Sequence, residues 1–189
     1  MNANEITAVV LAAPRGDASW GADGWETPIC GLGALERVGR ALEEFGAAAP
    51  WVLTARPEIA GSWTGLLRLD ADLAVRLDEI SLGRPVLVVR GDLPLLTARS
   101  LRDLVTAFSE GKGRRLVDSS GAVGIFRSAA DAAVALNSET WFLAGGAWQP
   151  SDEDDVRRFG SAADYGVVSR IARERILARL AAAGVLFVD

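Results

Sequence analysis

Pro85-Val86-Leu87-Val88-Val89-Arg90-Gly91-Asp92-Leu93-Pro94-Leu95-Leu96-Thr97 is the stretch whose reading decides the fold. A short apolar, β-branched run stops at Gly91-Asp92, and Thr97 then opens an amphipathic segment through Phe108. An apolar run bounded by turn formers reads as a strand buried on both faces. Thr97 is a good N-cap for the helix that follows. Asp92 is therefore expected just past the carboxyl end of a central strand, where open α/β sheets place their ligand-binding residues. A carboxylate held there by Gly91 and Pro94 suits a hard cation such as Mg²⁺, which prefers oxygen ligands. A loop aspartate that merely caps a turn is the other reading.

Upstream, Ile6 to Ala12 is an apolar first strand, broken by Ala13-Pro14-Arg15-Gly16-Asp17. A strand running into Arg15 and Gly16 resembles a phosphate-embracing turn, although Pro14 removes one amide donor. A plain strand-to-loop turn fits the same residues. Residues 18–31 are polar and glycine-rich, with Trp20 and Trp25, and read as a long loop. Leu35, Val38, Leu42 and Phe45 recur at helical spacing, which predicts an amphipathic helix from Gly33 to Gly46. Trp51 to Ala55 follows as a second buried strand. Strand, helix and strand in that order make a βαβ unit with parallel pairing. In 56–84, Leu67 to Leu69 suggests a short strand, and Ala71 to Ile80 a short helix ending near Gly83.

Downstream of the helix at 97–109, a Gly-Lys-Gly turn at 111–113 leads to short strands at Arg114–Val117 and Ala122–Phe126. Ser128 to Asn137 is alanine-rich and helical, with Ala129, Ala133, Val134 and Leu136 on its apolar side. Trp141-Phe142-Leu143 is ambiguous. Ser151-Asp152-Glu153-Asp154-Asp155 reads as an N-cap and acidic first turn, which suits the positive end of a helix dipole; an acidic metal cluster is the sharper alternative. Tyr165 to Val168 is expected as a last short strand. Ile171, Ile176, Leu177 and Leu180 mark a terminal helix, and Val185 to Val188 an apolar strand or tail. The expected architecture is one α/β domain over 1–189, with three layers and a mostly parallel central sheet carrying helices on both faces.

Composition narrows the chemistry. The chain has 189 residues, half of them hydrophobic, and a net charge of −5, so a soluble globular protein with a real core is expected. The arginines are scattered and form no basic stripe, so no nucleic-acid partner is expected. No apolar run approaches the roughly 18 residues of a membrane span, and no signal peptide is visible. A lone cysteine, Cys30, points to the cytoplasm. There is no histidine, which rules out Ser-His and Cys-His pairs and His-ligated metals. Lys112 is the only lysine. Carboxylates, arginines, backbone amides and a bound metal remain, and phosphoryl or nucleotidyl transfer can be run by that set.

Three pieces of the chain resemble one family, the sugar-phosphate nucleotidyltransferases, and within it the uridylyltransferase (pyrophosphorylase) domain of bacterial bifunctional N-acetylglucosamine-1-phosphate uridylyltransferase. Ala8 to Ala13 with Arg15 and Gly16 looks like the opening Leu-Ala-Ala-Gly-x-Gly signature. Val88 to Thr97 is similar to the Gly-Asp-x-Pro-Leu stretch and is the most specific match. Gly166 to Ile171, with Arg175 onward, resembles the Gly-Val-Asn-x-Arg stretch and the helix leaving the domain. The resemblance implies a Rossmann-like nucleotidyltransferase fold, a nucleoside triphosphate (UTP), Mg²⁺ and a sugar 1-phosphate. By it, Arg15 and Asp92 take the catalytic roles. Leu11, Ala12, Ala13, Arg15, Gly16 and Gly91 contact the nucleotide, and Asp92 with Ser169 holds the metal. The family's acetyltransferase β-helix is not expected to accompany this domain.

The departures are specific. Pro14 stands at the first loop glycine, Ala18 at an expected arginine, and Ile29 at the phosphate-binding lysine. The metal asparagine falls at Val168 or Ser169. Two function classes stay open. One is a working transferase, in which a phosphate oxygen attacks the α-phosphorus and no general base is needed. The other is a degenerate paralogue that binds a nucleotide or a protein partner, with Trp20, Trp25 and Trp63 as a candidate patch. Loop packing is the plainer account of those tryptophans. A molybdopterin-type nucleotidyltransferase is a third possibility, which the Gly-Asp-x-Pro-Leu wording disfavours. Homo-oligomerisation is left open.

Overall fold

The computed structural model describes residues 1–12, 28–54, 63, 65–68, 71–111, 115–116, 123–137, 147–159 and 161–185. Its frame is a seven-stranded sheet. The strands are β1 (Thr7–Leu11), β4 (Trp51–Leu53), β5 (Gly65–Leu67), β6 (Val86–Arg90), β7 (Arg115–Leu116), β8 (Val123–Phe126) and β9 (Ala147–Trp148). Their spatial order is β5-β4-β1-β6-β8-β7-β9. Pairing is parallel from β5 through β6 and again between β7 and β9, whereas β8 runs antiparallel to both of its neighbours. The mostly parallel α/β sheet expected from the apolar runs is present.

Every residue of β1 and β6 is buried, which requires a helical layer on each face. The alternation of the strands sorts their side chains between two cores. Ala8 and Val10 of β1, with Leu87 and Val89 of β6, pack under α1 (Ala34–Phe45) and α3 (Ala98–Ser109). Val9, Val86 and Val88 pack under α2 (Leu73–Ser81) and α4 (Ala129–Asn137). Helix α1 follows its sequence periodicity, burying Leu35, Val38, Leu42 and Phe45. A third, smaller core joins α5 (Ala162–Ala182) to a two-stranded hairpin through Ile29, Ala34, Leu95, Phe159, Val168, Ile171 and Ala172.

That hairpin, β2 (Pro28–Ile29) with β3 (Leu32–Gly33), occupies part of the region expected as loop. Its two connecting residues, Cys30 and Gly31, have φ of 49° and 84°. Positive φ at both is what a primed two-residue turn needs, because its twist matches that of the strands. Tyr165 to Val168 is not a strand but lies inside α5. Ser161 caps that helix by accepting from the Asp164 amide, and Val168 is buried one turn from Ile171 and Ala172, so packing overrides the strand preference of the valine pair. The acidic run forms a single 3-10 turn, Glu153–Val156, capped by Asp152 rather than Ser151. The short strand expected at Leu67–Leu69 is Gly65–Leu67. Val134, expected on the apolar side of α4, is 72% exposed. Trp63 is partly buried against the α1 core, which is packing; Trp20, Trp25, Trp141 and the tail beyond Val185 lie outside the described residues. No helix among the described residues is long and apolar enough to cross a membrane.

Replacing a fully buried leucine removes transfer free energy and leaves a cavity. Leu42→Ala is expected to lower the free energy of unfolding by about 2–5 kcal/mol. Val134→Ala, on the exposed face of α4, should change it by less than about 0.5 kcal/mol. Urea denaturation of the two variants checks both helix faces.

Candidate functional site

The two central strands bring four of the expected site residues, Leu11, Ala12, Gly91 and Asp92, to one edge of the sheet. Leu11 pairs in register with Arg90, so Ala12 and Gly91 leave the sheet side by side. The Gly91 amide donates to the Leu11 carbonyl at 2.9 Å, and the Ala12 amide to the Leu53 carbonyl at 2.9 Å. Those atoms of Leu11 and Ala12 close the sheet, so these residues aim the following chain rather than offer those groups to a ligand. A Cβ at Gly91 would stand 2.9 Å from Leu35 Cδ1 and 3.4 Å from the Leu11 carbonyl oxygen. Glycine there permits the close approach of the two strand ends. Ala13, Arg15 and Gly16 lie outside the described residues.

Asp92 sits just past β6, as expected, and is 6% exposed. Its carboxylate is held on both oxygens by guanidinium groups. Arg90 donates from Nε to Oδ1 and from Nη2 to Oδ2, each at 3.0 Å. Arg158 donates from Nε to Oδ2 at 2.9 Å. The Arg90 pair is a bidentate fork in a buried setting, the strongest form such contacts take. The Asp92 backbone carbonyl accepts from the Phe159 amide at 2.9 Å. Asp92 is thus fixed by its own strand and by a segment far along the chain.

The other end of the same loop is held by a second carboxylate. Asp155, 3% exposed, accepts on Oδ2 from the hydroxyls of Thr97, at 2.5 Å, and of Ser100. Thr97 also caps α3 by accepting from the Ser100 amide at 3.3 Å. Arg175 of α5 pairs through Nη2 with Asp155 Oδ1 at 2.7 Å and with Asp152 at 2.5 Å. Its Nη1 donates to the Leu95 carbonyl at 2.6 Å. The loop from Asp92 to Thr97 is pinned at its start, middle and end. Asp155 and Arg175 were concealed in the sequence, where the acidic run suggests a solvated helix start and Arg175 only a helix position.

Ser169 is carried on α5 beside the hairpin, where its backbone carbonyl accepts from Cys30 Sγ at 3.5 Å. Its Oγ is buried and has no hydrogen-bond partner among the described residues. No hydrogen bond among those residues joins Ser169 to Asp92, and Val168, the alternative position, is buried in the third core. No group of three or more Asp, Glu, Cys or His side chains clusters as a metal site among the described residues. A divalent cation takes several oxygen ligands. Among the described residues the donor set is one carboxylate paired with two guanidinium groups, and that set does not fit the Mg²⁺ expected from the resemblance.

A concavity of about 330 Å³ opens between the hairpin, α1, residues 94–97 and α5, and Arg37 and Arg179 line it. Arg37 donates to the Ile29 carbonyl from Nε at 2.9 Å and from Nη2 at 2.5 Å. Burial lowers the pKa of its guanidinium. The hairpin and α1 are thereby tied together beside the loop.

The two carboxylate clamps make a contrast with surface ion pairs. Asp155→Ala leaves Arg175 without its buried partner and two hydroxyls without their acceptor. It is expected to cost about 3 kcal/mol of unfolding free energy. Asp154→Ala removes an exposed pair with Arg157 and should cost less than about 1 kcal/mol. Denaturant titration compares them.

No family model matches the chain, and no curated protein matches it in sequence. Solved structures do share its architecture. A 4-diphosphocytidyl-2C-methyl-D-erythritol synthase superposes with a TM-score of 0.60 at 15% identity, over 88% of this chain and 97% of the other. A nucleotidyl transferase from Methanothermobacter thermautotrophicus gives 0.63 at 18% identity, over 88% and 96%. A protein of Mycobacterium tuberculosis H37Rv gives 0.62 at 16% identity, over 90% and 100%. The chain has the three-layer α/β fold of the nucleotidyltransferases.

Proposed function

We propose that this chain binds a pyrimidine nucleoside triphosphate and transfers its nucleotidyl group to a small phosphorylated acceptor, releasing pyrophosphate. The observation that carries the reading is the meeting of β1 and β6 at Leu11, Gly91 and Asp92. That places a rigid, charged loop at the carboxyl edge of the sheet, the position at which this architecture receives ligands. The uridylyltransferase motifs support UTP with a sugar 1-phosphate such as N-acetylglucosamine 1-phosphate. The structural neighbour named for a diphosphocytidyl product supports CTP as the other pyrimidine.

In the reaction, an oxygen of the acceptor phosphate attacks the α-phosphorus and forms the new P–O bond. The bond to the α,β-bridging oxygen breaks, and its electron pair leaves with pyrophosphate. A phosphate oxygen is already ionised, so no general base is needed and the absence of histidine is no obstacle. What the protein must supply is positioning and positive charge. Arg158 stands at the site edge with its side chain 31% exposed, and Arg15 is the expected contribution of the first loop. A binding module without turnover is the second reading. It is favoured by the pairing of both Asp92 oxygens with guanidinium groups.

Thermal unfolding in each of CTP, UTP, ATP and GTP tests the reading. Nucleotide at about 100 times its Kd adds about 2.7 kcal/mol, a rise of roughly 5–10 °C in Tm for a chain of this size. Stabilisation by CTP or UTP, followed by pyrophosphate release with a panel of sugar 1-phosphates and other phosphorylated alcohols, is the expected outcome. If none of the four raises Tm at millimolar concentration, the reading fails. Stabilisation without pyrophosphate release selects the binding module.

A further inference from the structure

Asp92 and its two arginines carry a consequence beyond that reading. Two guanidinium groups face one carboxylate, so the cluster has a net charge of +1 at the end of a buried strand. Arg90 spends Nε and Nη2 on Asp92, and Arg158 spends only Nε. Both terminal nitrogens of Arg158 therefore keep their N–H groups without an acceptor among the described residues. Arg90 is 8% exposed, whereas the Arg158 side chain is 31% exposed. The buried arginine anchors the carboxylate, and the carboxylate holds Arg158 by its Nε edge. Among the described residues the fork of Arg158 is left unspent beside Asp92, one residue past Gly91.

We propose that in this chain Asp92 is a counter-ion and not a metal ligand. The charge cluster it completes is an anion site, in which Arg90 is the buried support and the Arg158 fork takes a diphosphate or triphosphate group without a divalent cation. A planar fork with unspent N–H donors matches phosphate oxygens bidentately. A cation at Asp92 would instead face the repulsion of two guanidinium groups already bound there, and displacing Arg90 would take the carboxylate from an arginine that is 8% exposed, an unfavourable exchange. The assignment shares with the nucleotidyl-transfer reading only the place at which phosphate binds.

The test uses the whole chain and two probes. Inorganic pyrophosphate is titrated calorimetrically in EDTA and again in Mg²⁺, and Mn²⁺ alone is titrated by electron paramagnetic resonance. The expected result is pyrophosphate binding in EDTA that weakens about tenfold or more in Arg158→Gln. Arg158→Lys, which keeps the charge and loses the fork, should fall between the two. Arg158 is partly exposed, so these variants are expected to fold, which circular dichroism checks. Mn²⁺ should bind no differently to the wild type and to Asp92→Asn. Three outcomes overturn the proposal: Mn²⁺ binding that Asp92→Asn abolishes, pyrophosphate binding that requires Mg²⁺, or no pyrophosphate binding under either condition. Pyrophosphate binding in EDTA with no stabilisation by any nucleoside triphosphate would uphold this assignment and sink the transferase reading. Nucleotide binding that depends on Mg²⁺ and Asp92 would do the reverse.

Discussion

The structure turns on one desolvated carboxylate. Asp92 has almost no access to water, and an ionised carboxylate in that position is tolerable only if nearby positive charge and hydrogen bonds replace hydration. Arg90 supplies both from the same strand, two residues away. The turn at Gly91 brings the two side chains together at the end of β6. Arg158 completes the set from the far side of the loop. Among the described residues, these three side chains set the charge around Asp92.

Everything else at that edge is arranged around the same loop. The parallel pairing of β1 with β6 sets where the loop starts, and the capped N-terminus of α3 sets where it ends. Asp155 and Arg175 brace its middle and its exit. The loop has little freedom left, which suits a surface that must present charge in a defined direction. A rigid platform lowers the reorganisation that binding would otherwise require.

Much of this was legible in the sequence, and what was missed has a common cause. The strand at 86–90, the cap at Thr97 and the amphipathic helix α1 declare themselves through local pattern, because burial on one or both faces dictates residue type at short range. Arg157 and Arg158 are adjacent and chemically identical, yet one pairs with Asp154 on the surface and the other reaches Asp92. Nothing local distinguishes them. Asp155 looks like its acidic neighbours and becomes a buried acceptor because Arg175 of α5 and the Thr97 and Ser100 hydroxyls at the start of α3 converge on it. Val167 and Val168 suggested a strand because β-branched residues favour one, but the alanine-rich surroundings and the Ser161 cap carry a helix through them. Asp92 was located correctly by pattern, while its electrostatic partners were set by tertiary contact.

The bonds that brace the loop span long stretches of chain. Arg158 reaches Asp92 across 66 residues, Ser100 reaches Asp155 across 55, and Arg175 reaches the Leu95 carbonyl across 80. Closing such loops costs entropy before any contact repays it, so distant pairings form late. The sheet from β1 to β6 can assemble from the first half of the chain, but the charged edge cannot be completed until the segment at 152–175 docks. In order of synthesis, the strands from β1 to β6 emerge before the segment that completes the charged edge. Asp92 and Arg90 both lie in that first half, so their pairing needs none of the later segment.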